Sequence, residues 1–148
     1  MSAVQAILLP VGEDLYAVPV GWVREVVAAP PLTSLVTAPP LVLGLFNLRG
    51  EIVPLLDTAA LLGLGSVGTV AFALVLRSPH GLAGLPATAL PHRALLDRPS
   101  GPSELPGTCG TYQLDRRVAV LLDPAALLAS DRLSGPDLRD GPLPSGAG

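Results

Sequence analysis

The sequence predicts an all-β chain organised as two similar small barrels of short strands. Three observations carry that prediction. Gly 16 and Pro 17 in 148 residues suit many short elements joined by turns and do not suit long helices. Aliphatic runs recur in pairs around turn-forming residues, which is the pattern of β-hairpins. Finally, Leu55-Leu56-Asp57 and Leu121-Leu122-Asp123 are near copies, each following a hairpin and preceding Ala/Leu residues, so one unit is repeated.

The elements follow in order. Ala6–Val11, Gly12-Glu13-Asp14 and Leu15–Val20 read as strand, turn and strand. Trp22–Val27 fits a short helix or a strand, and the Pro-rich run 28–40 reads as an ordered loop or extended segment, since proline cannot donate to a ladder. Leu41–Leu48, Arg49-Gly50 and Glu51–Leu56 form the clearest hairpin, with Gly50 suited to a positive-φ turn. Asp57 is placed to cap a helix over Ala59–Leu62, stopped by Gly63. Thr69–Leu76 reads as a buried strand, Gly81–Leu90 as a weaker one interrupted by Pro86, and Asp97–Gly110 as a loop. Thr111–Leu114 and Arg117–Leu122 form a last hairpin, after which Asp123-Pro124 begins a short helix over Ala125–Ala129. Residues 1–129 are expected to form the folded domain, and the Gly/Pro/Ser/Asp-rich tail 130–148 is expected to be disordered.

Composition narrows the function. Hydrophobic residues make up 49% and charged residues 14%, which excludes a disordered chain. The net charge is −3, all nine basic residues are Arg and spread thinly, and aromatics are 3%. Nucleic-acid binding, which needs a positive stripe or stacking platforms, is therefore not expected. The apolar stretches are broken by Pro39, Pro40, Asn47, Arg49 and Pro54 before reaching the roughly 18 residues a span requires, so direct membrane insertion is not expected either. One cysteine, Cys109, and no secretory signal imply a cytoplasmic, reducing location.

Motifs that usually carry chemistry lack their context here. Gly63-Leu64-Gly65-Ser66-Val67-Gly68 matches the dinucleotide pattern in letters, yet a helix precedes it and a strand follows, the reverse of what pyrophosphate binding needs. It reads as a loop. His80, His92 and Cys109 have no metal-ligand spacing, and both histidines read as exposed loop residues. Ser66, Ser78 and Ser100 lack a nucleophile elbow. Asp57 and Asp123 are accounted for as helix caps. No catalytic residue, cofactor or metal is assigned, and the chain reads as a non-enzyme.

What stands out is Asn47-Leu48-Arg49-Gly50 amid so much aliphatic surface, with Glu25 a second charge on an apolar stretch. The residues alone leave two readings open. Arg49 is either a solvated turn residue or a rigidly presented guanidinium able to make a planar contact with a partner.

The spacing Gly44-x-x-Asn47-Leu48-Arg49-Gly50-x-x-x-Pro54-x-x-Asp57 resembles the signature of the CheW-like chemotaxis coupling family. Gly12-Glu13-Asp14-x-Tyr16-Ala17-Val18-Pro19, Val23–Val27 and Leu114–Asp123 resemble its flanking elements, so the likeness covers about residues 6 to 128. The resemblance implies two intertwined five-stranded SH3-like barrels and a non-enzymatic adaptor. Its implied partners are the cytoplasmic tip of a chemoreceptor and the regulatory domain of a CheA-type histidine kinase, at membrane-associated receptor arrays. It also implies receptor contact at Val23, Glu25, Asn47 and Arg49, with Gly44 and Gly50 shaping the backbone. One departure stands in Gly84–Leu90, where Thr88 replaces the family's usual acid and Pro86 enters a strand. That predicts a distorted second barrel, and leaves open a diverged adaptor serving gliding or pilus motility or another signalling partner.

Overall fold

Two-residue periodicity places the chain's aliphatic residues. The computed structural model describes residues 3–34, 41–65 and 67–129. Residues 35–40 of the Pro-rich run, Ser66 and the tail 130–148 lie outside the described residues. The elements are β1 (Val4–Val11), β2 (Asp14–Pro19), a 3₁₀ turn (Val20–Trp22), β3 (Val23–Ala28), β4 (Val42–Leu48), β5 (Glu51–Leu56), α1 (Thr58–Leu61), β6 (Phe72–Ser78) and β7 (Gly81–Ala87), then β8 (His92–Leu96), β9 (Pro99–Gly101), β10 (Thr108–Gln113), β11 (Val118–Leu122) and α2 (Pro124–Leu127).

The strands form two sheets, ordered β3-β6-β7-β5-β4 and β8-β1-β2-β11-β10-β9. The sheets repeat one plan. In each, an edge strand (β3 or β8) pairs antiparallel with a hairpin (β6–β7 or β1–β2). That hairpin joins in parallel a second hairpin (β4–β5 or β10–β11), which leads into a helix of four residues. A further short segment covers the outer strand: β9 on β10, and Thr33 bridging Leu45 on β4. In the first barrel the β6–β7 hairpin follows α1 in the chain. In the second the corresponding β1–β2 hairpin comes from the N-terminus, so the barrels are intertwined.

Alternation along the strands fills three cores. Phe46, Leu48, Val53, Leu55, Ala73 and Val75 fill the first barrel, and Ala6, Leu8, Leu15, Ala17, Leu96, Ala119 and Leu121 fill the second. Their neighbours along the strands, Ile7, Leu9, Tyr16, Val18, Leu74, Leu76, Leu85 and Leu122, join Leu61, Leu62, Leu127 and Leu128 of the helical segments between the barrels. Strands buried on both faces explain the unbroken aliphatic runs of β1 and β6.

Several expectations are corrected. The 3₁₀ turn and β3 resolve the Trp22–Val27 ambiguity. β8, which the sequence did not suggest, carries His92 as its exposed first residue, so His92 is not in a loop. β9 and the start of β10 lie inside the stretch read as a loop over Asp97–Gly110.

Pro86 does not interrupt β7, whose ladder to β6 runs without a shift from Phe72↔Ala87 to Ser78↔Gly81. β7 meets β5 at one position only, Leu55↔Gly84, so beyond Gly84 the strand is laddered on one side and proline is tolerated. β7 also belongs to the first barrel. Thr88 finds work of its own, because its Oγ1 accepts the Gly12 N–H at 2.8 Å and its N–H donates to the Pro10 carbonyl at 2.9 Å. The expected distortion is absent from these ladders.

Candidate partner-binding site

β3 and β4 are the two edges of the first barrel's sheet, and the candidate residues lie where these edges approach. The β4–β5 turn has two residues between the Leu48↔Glu51 pair, with φ of 51° at Arg49 and 92° at Gly50. Positive φ at both positions matches the right-handed twist of a hairpin, and a non-glycine residue rarely adopts it. The Asn47 side chain helps impose it, its Oδ1 accepting the Gly50 N–H at 2.9 Å.

On β3 the register slips between Val23 and Glu25, a bulge at Arg24 that re-aims neighbouring side chains. Both charges reach the hairpin tip. Arg49 Nη2 donates to Glu25 Oε1, Arg24 Nη1 donates to Glu51 Oε1 at 3.0 Å, and Arg24 Nε stands 3.8 Å from Glu25 Oε1. Two arginines and two glutamates thus span the barrel seam. The hydrogen bond from Arg49 holds the Glu25 carboxyl below the usual glutamate range, and Glu25 in turn raises Arg49. Arg49 is the most open of the four, its side chain 61% exposed.

The structure therefore brings Glu25 and Arg49 together, sets Asn47 beneath the turn, and leaves Val23 half-buried against the inter-barrel core. Arg49 is neither simply solvated nor unpaired. Arg24 and Glu51 complete the network and were missed, although opposite charges in Arg24-Glu25 and Arg49-x-Glu51 were visible in the sequence.

Beside the tip lies a groove of about 410 Å³ lined by Pro31, Thr33, Leu45, Phe46, Asn47 and Ile52. Its wall depends on Gly44, where a Cβ would stand 3.0 Å from Leu32 Cβ and 3.1 Å from the Thr33 carbonyl. A Cβ there would crowd the segment whose Thr33 exchanges two 2.8 Å backbone hydrogen bonds with Leu45.

Asp57 and Asp123 cap α1 and α2, accepting from the Ala60 and Ala126 N–H groups. Asp57 also accepts the Val67 N–H on both oxygens at 3.2 Å, tying the glycine loop back to the helix start. Ser66, read as no nucleophile, lies outside the described residues. Ser78 Oγ donates to the Gly81 carbonyl at 2.8 Å in the β6–β7 turn, and Ser100 Oγ lies 2.9 Å from Thr111 Oγ1 between β9 and β10. Burial and the nearby Asp123 push the Cys109 thiol up. Among the described residues no three His, Cys, Asp or Glu side chains gather as a metal site.

A family model described as the CheW-like domain matches residues 5–132. Chemotaxis protein CheW of Rhizobium meliloti is 38% identical over 60 residues, 40% of this chain and 39% of that protein. Chemotaxis protein CheW of Treponema pallidum is 36% identical over 53 residues, 36% of this chain and 31% of that protein. These matches thus span under two fifths of the curated relatives' length. The crystal structure of scaffolding protein TtCheW from Thermoanaerobacter tengcongensis superposes with a TM-score of 0.68 at 21% identity, covering 82% of this chain and 89% of that one. The last comparison establishes the two-barrel fold, and the family model establishes descent. The chain belongs to the CheW-like domain family.

Proposed function

We propose that this chain is an adaptor coupling the cytoplasmic tip of a chemoreceptor to the regulatory domain of a CheA-type histidine kinase. Val23, Glu25, Asn47 and Arg49 form its receptor-contacting seam. The observation that carries this reading is the fixed presentation of Arg49, on a positive-φ turn braced by Asn47 and aimed by Glu25. A guanidinium held this way has little conformational freedom left to lose on binding. The Pro31–Ile52 groove beside it offers apolar contact, and linked modest sites raise effective concentration in an array. The working location is the cytoplasmic face of receptor arrays; among the described residues no helix is long and apolar enough to cross a membrane. The diverged-adaptor alternative drew on Pro86 and Thr88, and the regular packing of both leaves nothing that favours it.

The test is calorimetric titration of the full chain against the regulatory domain of a CheA-type kinase and, separately, a soluble receptor-tip fragment. Saturable binding at tens of micromolar, about −6 kcal/mol, is expected for each. Arg49→Ala should weaken receptor binding about tenfold with the melting temperature essentially unchanged, because an exposed turn arginine costs little stability. A melting drop comparable to a core deletion would make Arg49 structural. No binding by a folded sample would end the coupling proposal.

A further inference from the structure

The two barrels follow one plan but differ at one corresponding place. In the first, the seam between edge strand and hairpin tip is bridged by Arg24–Glu51 and Glu25–Arg49. In the second, the same seam lies between β8 and the β10–β11 tip. The positions can be matched by register. Val75, three residues before the Ser78↔Gly81 closing pair, faces Glu25; Leu8, three before the Val11↔Asp14 closing pair, faces His92. Arg49 opens the first tip. Asp115 opens the second, within a turn closed by the Leu114 N–H donating to the Arg117 carbonyl at 2.8 Å. His92 and Asp115 thus stand where Glu25 and Arg49 stand, and among the described residues no ion pair joins them.

In place of a bridge there is a groove of about 760 Å³. Leu8 and Leu15, members of the barrel's own buried core, line its depth. Arg93, Arg98, Arg116 and Arg117 line it too, against Asp97 and Asp115. Four of the nine basic residues of a chain with net charge −3 therefore gather at one opening. Two aspartates stand against these four arginines, which leaves a positive excess, and the pairing between them is weak. Arg98 reaches Asp115 only at 4.0 Å, both side chains being exposed. Arg93 donates to Gln5 Oε1 at 3.3 Å and Arg117 to the Glu13 carbonyl at 3.1 Å, both neutral acceptors. Arg116 makes no ion pair among the described residues.

We propose that this groove is a second docking site, taking an acidic segment of a partner protein that also carries an aliphatic side chain. Carboxylates engage the arginine rim, where charge-assisted and bidentate hydrogen bonds are available. The aliphatic side chain enters toward Leu8 and Leu15. The site is independent of the Arg49 seam and of the identity of the partners bound there.

The experiment is an anisotropy titration of the full chain with the fluorescein-labelled peptide Gly-Asp-Glu-Leu-Glu-Ile-Asp-Gly, with lysine replacing every acid in the control peptide. Only the acidic peptide should bind, and affinity should fall at least about fivefold from about 50 to about 300 mM NaCl. The double variant Arg98→Ser/Arg116→Ser should weaken binding about tenfold or more, as expected when charge-assisted contacts are removed, while Arg49→Ala leaves it unchanged. Should the double variant melt early, Arg116→Glu alone repeats the test at a residue with no ion pair among the described residues. No saturation by about 1 mM, equal binding of the lysine peptide, or indifference to both arginine variants would overturn the proposal. So would sedimentation showing a concentration-dependent dimer that Arg116→Glu abolishes, which would assign the groove to a second copy of the chain.

Discussion

Thr58 follows the capping Asp57, and the two buried side chains fare differently. Asp57, 1% exposed, serves the Ala60 and Val67 N–H groups, whereas the fully buried Thr58 Oγ1 has no hydrogen-bond partner among the described residues. Thr58→Val keeps the shape and removes the unsatisfied hydroxyl, so urea unfolding should show a gain of about 1 kcal/mol. Glu25 gives a pH prediction. Its carboxyl is held below the usual range chiefly by the Arg49 hydrogen bond, so the pair is intact above the unfolded glutamate value of about 4.3 and its contribution is lost as pH falls through the lower folded value. A carbon-13 NMR titration of Glu25 should show that lowered midpoint, and Arg49→Ala should return it toward the ordinary one. The helix caps were legible as Asp followed by helix formers. The charge network was not, because joining Arg24 to Glu51 and Arg49 to Glu25, 27 and 24 residues apart, requires the β3 bulge and the approach of two sheet edges.

Among the elements, β4 shows how one glycine admits a neighbouring segment. Gly44→Ala would drive a methyl against Leu32 and the Thr33 carbonyl, costing about 1–3 kcal/mol as overpacking. The same variant should speed amide exchange at Leu45, whose N–H donates to Thr33, a loss that general destabilisation would not confine to that segment. Hairpins with adjacent turn signals were readable element by element. β8 was missed because its His92–Leu96 run mixes charge with exposed aliphatics, and it is a strand only because β1 offers it an edge. β7 was undervalued because proline's penalty depends on which neighbours a strand has, and those are set by the sheet.

For the molecule as a whole, the core between the barrels decides cooperativity. Leu74, fully buried there, should cost about 2–5 kcal/mol when changed to alanine. Trp22, packed against the same core, and far-ultraviolet dichroism should report one coincident transition for that variant. Two separated transitions would show barrels that melt independently. The echo of Leu55-Leu56-Asp57 in Leu121-Leu122-Asp123 made the repeat legible. That the second copy borrows its hairpin from the opposite end of the chain was not legible, since nothing in β1–β2 marks which helix it follows in space.

That borrowing has a consequence for synthesis. The first barrel's strands, β3 to β7, leave the ribosome consecutively and can pair as they emerge. The β1–β2 hairpin is made earlier than all of them, yet Gln5 must wait for Arg93 and Glu13 for Arg117, 88 and 104 residues later. At about 5–20 residues per second, that delay is on the order of ten seconds. The β1–β2 hairpin, made before the other described strands, is thus among the last to gain its ladder partners, β8 and β11.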